Sequence, residues 1–349
     1  MAKDGPGWLL LPCFPRPYHH AVHPVVFGRR VHPGGVQDMR SVGLTAALLL
    51  LLSACTRVPD RPLKVGTSPW AGSEPLYLAR QMEQYPAQAI HLVEFTTPQQ
   101  LARAFRNGVV DAATVPLPEA LRFEDMGQRP RVVLILDASL GADCLVARPE
   151  MESLAALKGR RVAFNGGAAE QHLVRRLVED AREVVLPTET QETALRRNKV
   201  DAVLASGGAC ERLLALPGTH RLFDSARPPG ELVDVLVVRQ DALEAHAEQV
   251  DTLLRGWFAA LAHCEAHPEV AARRMAPRLG LDEEHFQRRL RDIRLADANE
   301  QRLHLMGYNP RLSATIARLG EAMLRNQVLS EPPDSTRLLN AEPLARVLP

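Results

Sequence analysis

The chain has 349 residues, 46% of them hydrophobic and 24% charged, with a formal net charge of +1. That length and balance belong to a globular protein of one or two domains. Arg and Lys are spread along the chain with no basic patch interleaved with aromatics, so no nucleic-acid partner is expected. Runs such as Arg288–Arg294 read as solvated helix faces.

Residues 1–38 carry Pro and His clusters and no periodic pattern. Met39-Arg40 then precedes the apolar run Leu44–Leu52 and the small residues Ser53-Ala54 before Cys55. A positive start, a short apolar stretch and a small-residue cleavage site make a secretory signal. The run is too short for a helix of roughly 20 residues that would cross a bilayer. Leu52-Ser-Ala-Cys55 matches the bacterial lipobox, which predicts cleavage before Cys55 and acylation of its sulfur. The alternative is a plain secretory signal with a chance Cys. Met39 is read as the start and residues 1–38 as an upstream extension outside the fold. Residues 56–62, with Pro59 and Pro62, read as a tether.

From Leu63 the elements come in two similar halves. Leu63–Thr67 is apolar enough for a buried parallel strand. Pro69–Gly72 is a loop, and Ser73 is an N-cap candidate for a helix reaching about Gln84, with Glu74 and Pro75 in its first turn. His91–Phe95 is a strand, Pro98–Arg106 a helix ended by Asn107-Gly108, and Val109–Val115 a strand stopped by Pro116. The second half repeats this order: strand Arg161–Phe164, loop Asn165-Gly166-Gly167, helix Ala168–Asp180, strand Glu183–Leu186, helix Thr190–Asn198 and strand Val200–Ala205. Ala104–Thr114 recurs as Ala194–Leu204, ninety residues on.

Strands alternating with helices of about ten residues predict doubly wound, mostly parallel sheets. Two such halves predict an α/β protein of two lobes with a cleft between them, and a cleft is where a small ligand binds. Val132–Arg148 and Leu232–Val238 read as the two crossings between lobes. Lobe 1 is assigned residues 63–143 and 231–349, and lobe 2 residues 144–230. From Asp241 to about Leu329 the pattern is helical, a tail expected to return over the first lobe.

Val65–Trp70 with Glu74–Ala79, Asn107–Ala112, Ser139–Asp143 and Leu157–Ala163, together with the helical tail, resemble the extracytoplasmic solute-binding proteins of ABC transporters. The similarity is to the nitrate, sulfonate, taurine and pyrimidine-precursor class with the type II periplasmic-binding fold. It covers Leu63 to the C-terminus. Asn326 departs from it, standing where such proteins often carry Gly. The resemblance implies a lipid-anchored, exported, monomeric protein that captures a small anionic or zwitterionic solute by lobe closure and delivers it to an ABC permease and ATPase. It implies no catalysis and no cofactor. Two alternatives stand beside it: a sensing protein that reports to a membrane receptor, and an enzyme on the same fold, such as pyrimidine synthases or menaquinone-pathway dehydratases. The export signal argues against the enzymes, and the Cys-rich motif of the synthases is missing.

Ligands on such sheets bind at the carboxyl ends of the strands. That rule selects Trp70, as a wall for the ligand or an aromatic packed between lobes, and Ser73, as a ligand group or an N-cap. Glu74 either complements the helix dipole or meets a ligand amine. Thr114 and Ser206 end the echoed strands. Asn165, Gly166 and Gly167 could offer N–H groups to an anion or form a simple turn. Ser139 and Asp143 lie at a crossing, where Asp143 binds an amine or ties the hinge. Asp111 and Asp201 sit at the far ends of their strands and read as turn residues. His263 and His267 are four apart on a helix without a third ligand, so no metal is expected; His172, near Glu170, stands alone. Cys144, Cys210 and Cys264 remain in the mature part, with Cys144–Cys210 pairing left open.

Overall fold

The computed structural model describes residues 61–226 and 232–348. The expected leader, signal peptide, Cys55 and most of the tether lie outside the described residues, as does the expected boundary at residue 230. Among the described residues no helix is long and apolar enough to cross a membrane.

Among the described residues eleven strands form two sheets: β1 (Leu63–Thr67), β2 (Ile90–Glu94), β3 (Ala112–Pro116), β4 (Pro130–Ser139), β5 (Asp143–Ala147), β6 (Arg161–Phe164), β7 (Arg182–Val185), β8 (Ala202–Ser206), β9 (His220–Asp224), β10 (Val233–Arg239) and β11 (Ile293–Leu295). The first sheet runs β11-β4-β10-β3-β1-β2 and the second β7-β6-β8-β5-β9. In each, the three strands of a predicted half are parallel, β2-β1-β3 and β7-β6-β8. The crossing strands join them antiparallel, β10 on β3 and β5 on β8. The result is the predicted two-lobed α/β fold with a helical C-terminal region.

The echo is architectural. Asp111 accepts the Lys64 N–H at 2.9 Å, and Asp201 accepts the Arg161 N–H at 3.0 Å. Both aspartates stand where an echoed strand begins, away from the cleft, and each hydrogen-bonds the start of the neighbouring parallel strand. The turn before each needs a left-handed residue: Gly108 has φ 67° and Asn198 φ 56°. Gly has no Cβ to clash there and Asn tolerates the region. Thr97 caps the helix Pro98–Arg106, accepting the Gln100 N–H at 3.2 Å, with Pro98 at the first position where no N–H is needed.

The structure departs from the sequence reading in four places. The helix from Ala168 ends at Leu177, because Asp180 takes φ 51° before β7. Asp143, expected to close the first lobe, opens β5 in the second sheet. The tail is interrupted by β11, an edge strand on β4, where the pattern from Asp241 to about Leu329 was expected to be helical. His220–Asp224 forms an unforeseen edge strand on β5. Edge strands carry weak signals because only one flank is paired and one face packed.

The tail packs its apolar faces on the first sheet: Val250, Trp257, Phe286, Ile316 and Met323 join one core with Leu63, Val65 and Val237. Arg278 from that tail lies over the Tyr77 ring, 3.2 Å from its centroid, and pairs with Glu74 at 3.1 Å and Glu94 at 3.0 Å. In the second lobe Cys144 and Cys210 form a disulfide, tying β5 to the helix Gly208–Leu214.

Candidate functional site

A cavity of about 610 Å³ lies between the lobes. Its walls are the loops that follow the parallel strands of both sheets. Trp70, Ser73 and Thr114 come from the first lobe, and Asn165, Ser206 and Gly207 from the second. This is the carboxyl-end location that a doubly wound sheet offers, since each strand there hands over to a helix N-terminus.

Trp70 crosses the cleft. Its Nε1 donates to Asp137 Oδ2 on β4 at 3.1 Å. On the other side, a Cβ at Gly207 would lie 3.6 Å from its Cζ3. Gly207 itself has φ 53° at the start of the helix Gly208–Leu214. Gly72 lets the Asp137 carboxylate approach: a Cβ there would meet Oδ2 at 1.8 Å.

Ser73 is buried and heads the helix Glu74–Gln81, but its hydroxyl makes no cap bond. It donates instead to Thr114 Oγ1 at 3.2 Å, so these two predicted residues form one polar patch on the cavity wall. Glu74 is not part of that wall. Its carboxylate turns to Arg278 in the tail, which explains its burial without a ligand. Burial raises its pKa to about 7, against the opposing pull of Arg278. The expectation that Glu74 meets a ligand amine is therefore corrected.

Ser139 lines the cavity and ties the crossing: its Oγ lies 2.6 Å from Ser225 Oγ. Ser225 also accepts the N–H groups of Gly141 at 3.0 Å and Asp143 at 3.1 Å. Asp143 accepts the Ser206 hydroxyl at 2.6 Å, directly across the β5–β8 ladder. Asp143 thus takes part in the crossing through its N–H while its carboxylate lines the cavity.

Asn165, Gly166 and Gly167 line the cavity, but one of the N–H groups expected to meet a ligand anion, that of Gly167, already has a partner. Asn165 Oδ1 accepts the Gly167 N–H at 3.1 Å, and Asn165 Nδ2 donates to Glu170 at 2.8 Å. Glu119, from the first-lobe helix Leu117–Asp125, accepts the Ala168 N–H at 2.9 Å. A helix N-terminus favours an anion, and here Glu119 supplies it from the opposite lobe. The start of this helix is thus occupied, the Gly167 N–H by Asn165 and the Ala168 N–H by Glu119.

Four acids that carried no site role in the sequence reading stand in the same wall: Glu119, Asp137, Glu170 and Asp234. Asp137 is 1% exposed, and burial, with the charge of Asp143 adding, pushes its pKa up to about 7. Burial likewise raises Glu170 to about 7, with Asp143 and Glu119 adding. Asp234 is raised well above the ordinary range by burial and by the charges of Asp137, Asp143 and Glu170. Five arginines line the same cavity: Arg103 and Arg212 are exposed, Arg106 and Arg122 are half-buried, and Arg289 is held by Glu211 at 2.8 Å and 3.1 Å across the lobes. The sequence did carry a signal for Asp234. Asp143-Cys-Leu-Val-Ala-Arg148 recurs as Asp234-Val-Leu-Val-Val-Arg239, a second echo. Among the described residues no group of three or more His, Cys, Asp or Glu is arranged to hold a metal ion.

No protein-family model matches this sequence, and no curated protein matches it. Solved structures share its fold. The ligand-binding component of an ABC-type import system from Staphylococcus aureus, solved with zinc bound, superimposes with a TM-score of 0.66 at 12% identity, over 82% of this chain and 99% of that one. The periplasmic aliphatic sulphonate-binding protein SsuA from Escherichia coli gives 0.63 at 17% identity, over 80% and 97%. The desulfurization enzyme DSZB gives 0.57 at 16% identity, over 82% and 98%. At such identities the likeness speaks for the fold, which binding proteins and an enzyme share.

Proposed function

We propose that this chain is the solute-binding component of an ABC importer, capturing a small molecule between its lobes and presenting it to a permease and its ATPase. The observation that carries this reading is the interlobe cavity walled by strand ends from both sheets. A ligand there touches both lobes, so it favours the arrangement in which they close and shifts the population toward it. The lobes meet directly in Glu119 with Ala168, Arg289 with Glu211, and Arg175 with the Asn326 carbonyl at 2.7 Å. The signal-like segment and Cys55 support export and lipid anchoring, with the protein working as a monomer outside the cytoplasm.

Of the expected solutes, the zwitterion is kept and the simple anion set aside, because carboxylates and arginines both line the cavity and Asn165 and Glu119 already hold the Gly167 and Ala168 N–H groups. The likeness to DSZB favours a second reading, an enzyme on this fold. Small-angle scattering and thermal-shift measurements on the purified protein, against sulfonates, nitrate, amino sulfonates, pyrimidines and amines, decide between them. A binding protein contracts and melts higher with at least one solute and returns it chemically unchanged. A solute recovered as a different compound overturns the importer reading in favour of the enzyme.

A further inference from the structure

We propose that the cleft selects a compact organic cation, an ammonium or amidinium, seated between Asp137, Asp143 and Asp234 and against the Trp70 ring. This rests on the solute-binding reading and names the chemistry of its ligand.

The argument begins with the second echo. β5 and β10 occupy the same position in their sheets, each antiparallel to an echoed strand. Asp143 faces Ser206, the last residue of β8, and Asp234 faces Pro116, the last residue of β3. Ser206 gives Asp143 a hydroxyl at 2.6 Å. Pro116 has neither a hydroxyl nor an N–H to give. The Asp234 carboxylate therefore accepts no hydrogen bond from the described residues. Asp234 is half-buried in the cavity wall, so a carboxylate with no donor from the described residues faces whatever fills that cavity.

Asp137 is the independent second observation. It stands directly across the β4–β10 ladder from Asp234. It is 1% exposed and lines the cavity, yet only Oδ2 is engaged, by Trp70; Oδ1 accepts nothing from the described residues. Like charges opposite one another on paired strands repel. A cation placed between them removes that repulsion and supplies both missing donors. An ammonium offers three N–H groups and an amidinium four, enough to reach several carboxylate oxygens at once. The Trp70 ring adds an aromatic face, which attracts organic cations. The acids come from two sheets and no metal-holding group stands among the described residues, which suits an organic cation better than a bare metal ion. The arginines that also line the cavity, Arg122 and Arg289 among them, can hold an anionic tail if the ligand has one.

Isothermal titration of the purified protein with size-matched probes tests this. The cations are butylamine, agmatine and benzamidine; the anions are butyrate and butanesulfonate. The expected result is binding by at least one cation and none by the anions. Asp234→Asn and Asp137→Asn should each weaken that cation at least tenfold. Asp111→Asn, on the far side of the first sheet, should leave it unchanged. Asp234→Asn should also melt no lower than the unaltered protein, which separates lost binding from lost folding. Anions binding while the cations stay silent overturns the cation and leaves solute capture standing. A cation that binds Asp234→Asn as tightly as the unaltered protein overturns the placement. Silence from both charge classes overturns this inference, and failure of the broader solute screen as well would overturn the binding reading with it.

Discussion

The two lobes are built on one plan and differ in how their matching positions are satisfied. At the strand starts, Asp111 accepts the Lys64 N–H, whereas Asp201 holds the Arg161 N–H, the Arg161 guanidinium and Arg148. At the cleft ends the order reverses in kind: Asp143 has Ser206, and Asp234 faces a proline. The first lobe gains its stability from a large core covered by the helical tail. The second has two smaller clusters and a disulfide. A small lobe buries less apolar surface, so covalent and ionic links carry more of its stability. The lesson is that a repeated backbone plan leaves each position free to serve stability in one copy and the ligand in the other.

The largest expected effect concerns the disulfide. It closes a separation of 66 residues, and its loss through Cys144→Ser with Cys210→Ser should cost about 4 kcal/mol in urea unfolding. Hydrogen exchange should rise in β5 and β8 and stay level in β3 and β10; equal loosening of both lobes would show that the link does not serve one lobe alone. Next comes the matched pair of aspartates. Asp201→Ala should cost about 2–3 kcal/mol, because it strips partners from two arginines as well as an N–H. Asp111→Ala should cost about 1 kcal/mol, the worth of one hydrogen bond. Equal losses would mean the ion pairs around Asp201 add nothing.

A smaller effect is the dependence on pH. Glu74, Asp137 and Glu170 have folded pKa values raised to about 7, and Asp143 and Asp234 are raised as well, in each case chiefly by burial. For a raised carboxylate the folded state holds its proton more tightly than the unfolded chain. Its contribution is fully present below the unfolded pKa and is lost as pH rises through about 7. His172, depressed to about 4 mainly by burial, acts in the opposite direction within that window, one group against several. Glu183, Asp201 and Glu211 are depressed and act only at lower pH. The ligand-free protein should therefore melt at least ~2 °C lower at pH 8 than at pH 5.5. Asp234→Asn should narrow that gap. The smallest effect is at the outer clasp: Glu211→Gln, which weakens an exposed pair with Arg289, should lower solute affinity by less than about threefold.

Much of the fold was legible. The six strands of the two halves follow from apolar runs, and their order from the turn chemistry of Asn107-Gly108 and Asn198. Of the cleft residues, Trp70, Thr114 and Ser206 were legible because the carboxyl-end rule depends only on strand direction. Asp137 and Asp234 were not, because each lies inside a largely apolar segment read as a crossing between lobes, Val132–Arg148 and Leu232–Val238. Glu74 misled because its partner, Arg278, stands 204 residues further along the chain. Ser225 was invisible for the same kind of reason, its partners lying beyond 80 residues.

Local periodicity and turn residues, which act within a few positions, thus determined the units: strand, helix, strand, written twice, with a helical remainder. They also determined that the repeated aspartates serve strand starts. The character of the cleft was decided only by tertiary structure. Electrostatics in an enclosed site adds up over all groups within a few ångströms, whatever their separation along the chain. Where strand ends of both sheets wall one cavity, carboxylates from β4, β5, β10 and two helices meet, and at the helix start that looked ready for an anion the Ala168 N–H is taken by Glu119.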